Sequence, residues 1–428
     1  MPDSQRLSPA SEAARRPAGS GLSTARTLLL VAFFAVPAAG GLLSLFEVAM
    51  DGVVTEGLDG ARGVAVSPSG DQVYATGNLD DALVVFLRDA TADDASLDPR
   101  QILVDSVNGV FGLDGARGVA ASPDGKHVYV TAEIDDSLTV FTRDASGDVL
   151  RYTNILSNNI GGVFGLDGAA SVAVSPDGYH VFVAGQMDDS LAVFSRTATT
   201  DDLQFVDLEQ NMVAGVNGLD GAASVAVSPL GDRVYVASRS DNALAVFERD
   251  GTADDLTFLG SFFDGFDGVD GLARASSVAV SPDGRHVYVT GRVDDSVAVF
   301  ERSFEEGFGL TFVDAYTDGV DGVDGLNGAE AVALSPSGSL VFVAGDIDDG
   351  IAVFRRQGDG RLDFVEAIAP GPASGLDGPV ALAVAPDALH VYAAARDGDS
   401  IVGFRLLETV FYDGFESGDK DAWSSEFP

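Results

Sequence analysis

The chain has 428 residues, of which 46% are apolar and 21% are charged, a composition typical of globular proteins and not of disordered ones. Acidic residues outnumber basic ones by 66 to 25, which gives a formal net charge of −41. Such a surface repels phosphate backbones and anionic lipids, so it argues against nucleic-acid binding and against polybasic membrane docking. The sequence has no cysteine, which excludes disulfides, zinc-thiolate sites and a cysteine nucleophile.

The N-terminal residues 1–39 have the pattern of a secretory signal peptide. Residues 1–26 are polar and carry four arginines, and an uncharged stretch follows from Thr27 to Phe46. A cleaved signal would use Thr27–Val36 as its apolar core and end at Ala38 or Ala39. An uncleaved anchor helix is the alternative, because roughly twenty uncharged residues can just span a bilayer.

The repeats described below favour cleavage of this signal. Leu45–Asp51 matches a strand of the repeat, which leaves about 15 residues for the apolar core, short for a membrane span. We therefore expect a periplasmic or extracellular protein with no membrane span after cleavage.

Residues 42–406 consist of seven copies of one repeat unit. Self-similarity at a period of about 50 residues indicates a repeat architecture. Starts of the Gly-Leu-x-Gly type recur at intervals of 50 to 55 residues, at Gly57, Gly112, Gly165, Gly218, Gly271, Gly325 and Gly375.

Each unit contains four short runs of strand-type residues separated by turn residues. Ser-Pro-Asp-Gly joins the first two runs, with proline placed to preset φ and glycine to close a type I turn. In the fifth unit the runs are Ser277–Ser281, His286–Thr290, Ser296–Arg302 and Leu310–Ala315. Four-stranded units repeated radially make a β-propeller. The sequence therefore predicts an all-β fold, a seven-bladed β-propeller of four-stranded antiparallel blades.

The last unit supplies only three strands, ending at Ser400–Leu406. A propeller that does not join its ends leaves an exposed sheet edge. Leu45–Gly52 resembles the fourth strand Phe312–Gly319, so we predict that this N-terminal strand closes the last blade. Glu408–Asp413 is the competing candidate, and residues 407–428 are interpreted as a C-terminal tail.

The segments SPDGRHVYVT and DDSVAVF resemble the YVTN-type β-propeller repeats, which are grouped with the seven-bladed lactonase-like propellers. The resemblance covers roughly residues 42–406 and implies the fold. It leaves the activity open, because such proteins range from sugar-lactone hydrolases to surface proteins without known chemistry. The tail from Phe411 resembles a short C-terminal segment found on many secreted bacterial proteins.

Residues that recur in nearly every blade are expected to serve the blade and not a single site. The histidines share one turn position and are not expected to be catalytic; they are His127, His180, His286 and His390. Recurring arginines follow the third-strand phenylalanine and are expected to pair with neighbouring aspartates or to cap strands. They are Arg88, Arg143, Arg196, Arg249, Arg302 and Arg356.

Aspartates also recur, in two loop sets that should lie on the same face. Asp-Asp pairs fall between the second and third strands, as at Asp80-Asp81, and Gly-Leu-Asp-Gly loops add residues such as Asp59. Asx turns explain both sets. The alternative is a hard cation, because oxygen ligands without cysteine or histidine suit calcium. Calcium is the one cofactor that the sequence suggests, and the DGxDGxDG runs around Asp267 and Asp321 favour it.

Two positions per blade on that face vary in a polar way and give the candidate binding site. The first opens the first strand, and the second follows the second strand. The candidate residues are Arg62, Arg117, Glu133, Gln186, Arg239, Arg292, Glu330, Asp346 and Arg396. Arginines in a pocket suit an anionic or polyhydroxyl ligand. Glu133, Glu330 or Asp346 would serve as a general base if burial raised its pKa.

The sequence supports three hypotheses about function. The first is a secreted or periplasmic scaffold, expected to be monomeric, that binds a small anionic or polyhydroxyl ligand or another protein, with no catalytic motif. The alternative, implied by the family resemblance alone, is a lactonase-type hydrolase of sugar or acyl lactones. The third is a calcium-dependent surface protein.

Overall fold

The computed structural model describes residues 42–89, 96–144, 147–196, 202–250, 254–304, 309–369, 371 and 374–407. The predicted signal at 1–39 and the competing strand Glu408–Asp413 lie outside the described residues. Across the described ranges the named elements are 28 strands. Within those ranges no helix is long and apolar enough to cross a membrane.

The strands form seven sheets of four antiparallel strands each, so the predicted seven-bladed propeller is confirmed. Blade 1 contains β2 (Ala61–Val66), β3 (Gln72–Gly77), β4 (Ala82–Arg88) and β5 (Leu97–Val104). Blade 2 contains β6 (Ala116–Ala121), β7 (His127–Ala132), β8 (Ser137–Arg143) and β9 (Leu150–Ser157). Blade 3 contains β10 (Ala169–Val174), β11 (His180–Gly185), β12 (Ser190–Arg196) and β13 (Leu203–Gln210). Blades 4 and 5 contain β14 (Ala222–Val227), β15 (Arg233–Ser238), β16 (Ala243–Arg249) and β17 (Leu256–Phe263); and β18 (Ala275–Val280), β19 (His286–Gly291), β20 (Ser296–Arg302) and β21 (Leu310–Thr317). Blades 6 and 7 contain β22 (Ala329–Leu334), β23 (Leu340–Gly345), β24 (Gly350–Arg356) and β25 (Leu362–Ile368); and β26 (Pro379–Val384), β27 (His390–Ala395), β28 (Ser400–Leu406) and β1 (Leu43–Met50).

The first strand of each blade lies innermost. Each one contacts the first strands of both neighbouring blades, and β2 contacts β26, so the seven form a closed ring. Apart from the variable second residue, most of their side chains are small or β-branched, as in ASSVAV of β18, because seven strands crowd around one axis. Large aromatics of the later strands, such as Tyr74 and Phe86, are fully buried between blades, where the sheets splay apart.

The N-terminal strand closes the ring as predicted. β1 pairs antiparallel with β28, from Leu43 opposite Leu406 to Met50 opposite Ser400, with one bulge near Phe46. The backbone N–H groups of Leu42 and Leu43 also donate to Oε1 of Glu366 in blade 6, at 2.6 and 3.0 Å. The chain's first described strand is therefore the outer strand of its last blade.

The face with the turns between first and second strands is called here the bottom face, and the opposite face the top face. On the bottom face each recurring arginine reaches back to an aspartate of the preceding blade, which confirms the predicted Arg–Asp pairing. Besides the Arg88–Asp387 pair, the pairs are Arg143–Asp71, Arg196–Asp124, Arg249–Asp177, Arg302–Asp232 and Arg356–Asp283.

Arg88 joins blade 1 to blade 7 and illustrates the arrangement. Its side chain is fully buried and pairs with Asp387. It also donates from Nε to the Tyr392 hydroxyl (2.8 Å) and from Nη1 to the Gly70 carbonyl (2.8 Å), and its Nη2 lies 2.6 Å from Nδ1 of His390. Burial and the charge of Arg88 lower the pKa of His390, which favours its neutral form. The histidines therefore lie at separate blade junctions, as expected for structural residues.

We predict that Arg88→Met lowers the free energy of unfolding by about 3–5 kcal/mol, because it leaves buried partners in two blades without their cation. The measurement is chemical denaturation followed by circular dichroism. Arg100→Met is the matched control, since the Arg100–Asp148 pair is half exposed and 4.0 Å long, and such pairs contribute little. Equal stability of the two variants would contradict the role given to Arg88.

Candidate functional site

The first strand of every blade begins with a bulge at its top end. In blade 1, Ala61 pairs with Gly77 and Gly63 pairs with Thr76, so Arg62 is an extra residue without a partner in the register. The same irregularity recurs in the other six blades. Bulges re-aim a side chain and are frequent beside functional sites. Here they direct the first variable position of each blade toward the axis.

The seven first-position side chains line one cavity of about 180 Å³ at the top end of the ring. They are Arg62, Arg117, Ala170, Ala223, Ser276, Glu330 and Val380. Arg239, from the second variable position, also reaches the wall, and valines such as Val64 and Val172 line the channel below. The cavity therefore has a charged mouth above an apolar wall.

The second variable position is held by its backbone. In blade 4 the N–H of Arg239 donates to the Gly221 carbonyl at 2.9 Å, and the same loop carbonyl accepts this bond in every blade. Because the backbone placement is constant, the blades differ at this position only in the side chain that they present.

Arg117 organises one side of the mouth. It donates from Nη1 to Oε2 of Glu133 (2.7 Å) and to Oε1 of Gln186 (2.8 Å), which ties blade 2 to blade 3. Asn78 of blade 1 donates to the other oxygen of Glu133 at 3.2 Å. Arg117 is buried, and desolvation with the nearby charge of Arg239 lowers its pKa to about 10.

A chain of alternating charges organises the other side. Arg239 of blade 4 pairs with Oε1 of Glu330 in blade 6, and Arg292 of blade 5 places Nε 3.2 Å from Oε2 of the same carboxylate. Arg292 also donates from Nη2 to Oδ2 of Asp346 at 2.7 Å. Both acids are buried, with side chains 7% and 1% exposed. Each carboxylate is therefore neutralised by arginines from other blades.

Arg396 lies at the rim. Its Nη2 donates to Asp397 at 2.8 Å and lies 3.9 Å from Oδ2 of Asp346. The structure therefore brings together eight of the nine predicted residues through contacts with one another, and Arg62 joins them through the cavity wall.

Arg62 differs from the other arginines of the site. Among the described residues it has no hydrogen bond and no ion pair, and its Nε is buried. Burial lowers its pKa; the charge of Glu133 opposes this change, and the charges of Arg396 and Arg239 add to it.

Three more buried atoms at the mouth have no hydrogen-bond partner among the described residues, namely Nε of Arg239, Oε2 of Glu330 and Oδ1 of Asp346. Oδ1 of Asp346 lies against Gly328, outside the cavity. The atoms of Arg62, Arg239 and Glu330 belong to residues that line the cavity, and since buried polar atoms are nearly always bonded, they suit a polar ligand.

The site is electropositive in an acidic protein. Its five arginines and three acids give a net charge of +2, against −41 for the chain. An excess of one sign of charge in a cleft attracts ligands of the opposite sign. The mouth is therefore suited to an anion.

Comparison with known proteins places this geometry in a fold group. The family model "Lactonase, 7-bladed beta-propeller" matches residues 110–213, about a quarter of the chain. The propeller count and this match agree. The chain is a seven-bladed, lactonase-like propeller.

Two kinds of relatives accompany that match. A 6-phosphogluconolactonase of Pectobacterium carotovorum is 23% identical over 158 residues, which cover 36% of this chain and 46% of the relative. The chain thus spans about half the length of this curated relative. Among solved structures, the periplasmic gluconolactonase of Pseudomonas aeruginosa has a TM-score of 0.58 at 21% identity, over 72% of this chain and 85% of that one. Hydrazine synthase of Kuenenia stuttgartiensis has a TM-score of 0.60 at 16% identity, over 81% and 96%. These likenesses establish the fold alone.

Two polar residues of this lactonase-like propeller were not among the selected candidates. Asn78 bonds Glu133, and Ser276 lines the cavity and donates to the Ala329 carbonyl at 3.0 Å. Both occupy the same variable positions as the selected residues, so the signal was present in the sequence.

The acidic loops of the top face form the turns. Oδ2 of Asp80 accepts the N–H of Asp59 in its own blade (3.0 Å), and Oδ1 of Asp399 in blade 7 accepts the N–H of Gly60 in blade 1 (2.9 Å). Asp81 adopts a φ of 52°, in the left-handed region that Asn and Asp tolerate. The carboxylates therefore bond loops within and between blades, as the turn interpretation requires.

Two groups of these carboxylates also crowd together, in blades 5 and 6. The oxygens within each group lie within 4.8 Å of one another; the groups are Asp264, Asp270 and Asp294, and Asp318, Asp324 and Asp348. Burial raises the pKa of Asp294, and the charges of Asp264 and Asp270 raise it further. Three oxygen ligands fit a hard cation, and calcium binding stays a prediction.

We predict that the propeller melts at a higher temperature in calcium than in a chelator. A ligand bound only by the folded state stabilises it, by about 2.7 kcal/mol when the free ligand is at a hundred times its Kd. Asp294→Asn combined with Asp348→Asn should abolish the shift. Asp188→Asn is the matched control, since Asp188 accepts the same loop hydrogen bond in blade 3, where Asn158 is its neighbour. Among the described residues Asp188 belongs to no group of three acids. An unchanged melting temperature at saturating calcium would contradict the prediction.

Proposed function

We propose that this propeller binds a small anionic, hydroxyl-bearing molecule in the cavity at its top face. Arg62 carries the proposal. Its guanidinium lines the cavity, its Nε is buried, and no described residue supplies a counter-charge within hydrogen-bonding distance. A carboxylate or phosphate on the ligand would accept from this planar fork, whose geometry matches both groups.

One acceptor at the mouth and the cavity volume define the rest of the ligand. Glu330 lines the cavity, and its Oε2, which has only the ion pair with Arg292, can accept a hydrogen bond from a ligand hydroxyl group. The cavity of about 180 Å³ is smaller than the roughly 300–1,000 Å³ of drug-sized pockets. These features favour a compact polyhydroxyl acid.

We place this activity in the periplasm or outside the cell, in a monomer. The N-terminal 39 residues support the location through their signal pattern, and one structural neighbour is titled a periplasmic gluconolactonase. The monomer is supported by β1, through which the chain completes its own last blade.

Lactone hydrolysis is the second candidate, because two relatives are titled lactonases. Glu133 is the acid best placed for it, with a side chain 25% exposed, whereas Glu330 and Asp346 are nearly buried against arginines. Pairing with a cation weakens a base, and Glu133 also pairs with Arg117, so its advantage over the other two acids is its access to water. Glu133 would take a proton from water, and Arg62 with Arg117 would stabilise the oxyanion of the tetrahedral intermediate.

We predict that wild-type protein binds gluconate or 6-phosphogluconate in calorimetry and that Arg62→Met weakens binding about tenfold or more, since a hydrogen bond to a charged group contributes about 1.5–3 kcal/mol. Neutral glucose is the ligand control and should bind far more weakly. Arg100→Met is the protein control, because its partly exposed side chain does not line the cavity. Equal affinity for gluconate and glucose, or an unaffected Arg62→Met variant, would contradict anion binding.

For the second candidate, we predict that gluconolactone is opened faster with the protein than without it and that Glu133→Gln removes the acceleration while retaining gluconate binding. The measurement is proton release in weak buffer, with an acyl lactone as a second substrate. If the protein binds gluconate but accelerates proton release from neither lactone, ligand binding is its function and hydrolysis is excluded. Hydrolysis by the Glu133→Gln variant at the wild-type rate would show that another residue is the base.

A further inference from the structure

The top face also carries most of the exposed apolar side chains. Of the 20 large apolar residues exposed within the described ranges, 15 lie in loops of the top face. Five of them immediately follow the second variable position in blades 1, 2, 3, 5 and 6 and so surround the mouth. This set, called here the crown, is Leu79, Ile134, Met187, Val293 and Ile347, with 56% to 72% of each residue exposed.

Local packing does not explain the crown. In blades 1, 2, 3 and 6 the crown side chain covers the last residue of the Gly-Leu-x-Gly loop; a Cβ added at Gly60 would lie 2.9 Å from Cγ of Leu79. Blades 4 and 7 fill the same place with Ser240 and Asp397, whose oxygens lie 2.6 and 2.5 Å from the corresponding Cβ positions. A polar side chain therefore satisfies the loop, and the apolar ones in five blades have no local requirement.

Other loops of the top face also expose apolar side chains. Loops between the fourth strand of one blade and the first of the next expose Ile160, Met212 and Phe266 by 67%, 84% and 69%. Single exposed apolar residues are ordinary, but contiguous apolar surface on a soluble domain marks an interaction site. The cavity is too small for its ligand to cover this surface, so the occupant is a macromolecule.

Charge selects between the two macromolecular surfaces that could cover the crown. Each of the five crown residues is followed directly by an Asp-Asp pair, such as Asp80-Asp81 after Leu79. Inserting the crown into a bilayer would bring these carboxylates toward hydrocarbon, which is costly. A protein surface can meet them with basic side chains and can offer an acid to the positive cavity.

We propose that the crown and cavity form a docking site for a protein partner that presents apolar side chains around an acidic side chain or a C-terminal carboxylate, with basic residues outside them. The carboxylate enters the cavity and accepts from Arg62, the crown buries the apolar ring, and the partner's basic residues face the aspartates. The proposal rests on the proposed function at one point, since both place an anion at Arg62.

The test uses full-length protein and a phage-displayed library of random constrained loops. Loops selected on wild-type protein are expected to carry an acid among apolar and basic residues. Their synthetic peptides should bind about tenfold or more weakly to the triple variant Leu79→Ser, Ile134→Ser, Met187→Ser, as expected for buried interface anchors. Serine is the residue of blade 4 at this position, so the fold should be retained, and melting curves check this.

Tyr179→Ser, Leu230→Ser and Leu389→Ser on the bottom face form the matched control, since these residues are also exposed, and they should leave peptide affinity unchanged. Enriched loops without an acid, or equal affinity for the crown variant, would overturn the proposal. So would crown-dependent sedimentation with phosphatidylcholine–phosphatidylglycerol vesicles, or crown-dependent dimerisation in sedimentation velocity. Gluconate titration separates the two proposals, because the crown variant should bind gluconate like wild type.

Discussion

The pairing of β1 with β28 is the contact on which the rest of the molecule depends. It joins residues about 350 positions apart in sequence and covers the outer edge that the three-stranded last blade would otherwise expose. The ring of first strands is continuous only when β2 lies against β26, and the cavity wall uses side chains from all seven blades. Opening this one junction would separate Arg62 from Val380 and divide the site. The buried contacts of Arg88 hold the same junction from the bottom face.

Repetition turns this closed ring into a constant frame with variable side chains. The bulge at the top of each first strand and the loop hydrogen bond to the second position fix two backbone places per blade. Seven blades thus present fourteen side chains to one mouth. Selection can change the chemistry there by single substitutions, without a change in the fold, because the residues that build the blades lie elsewhere.

The sequence predicted the frame closely because the frame repeats. For blade 5 the predicted strands differ from β18 to β21 by no more than two residues at either end, and the N-terminal closure and Arg–Asp pairs were also predicted. The partners within the mouth were not, since Arg239 and Glu330 lie 91 residues apart and meet across blades. One difference between Arg62 and Arg117 follows from the sequence of their blades. Arg117 finds Glu133 in its own blade, whereas the same place in the blade of Arg62 holds Asn78, an amide that itself donates to Glu133.

The mouth and the face around it act on an anion in opposite directions. At a distance, the net charge of −41 repels it, over a range set by a Debye length of about 8 Å at physiological ionic strength. At contact, Arg62 and the surplus of positive charge in the cavity attract it, in surroundings where desolvation strengthens each interaction. Selection therefore happens at short range. A free small anion gains only the inner contacts, whereas a partner with basic and apolar groups around its carboxylate avoids the outer repulsion as well. The same charge pattern thus serves a small acid and favours a larger partner that carries one.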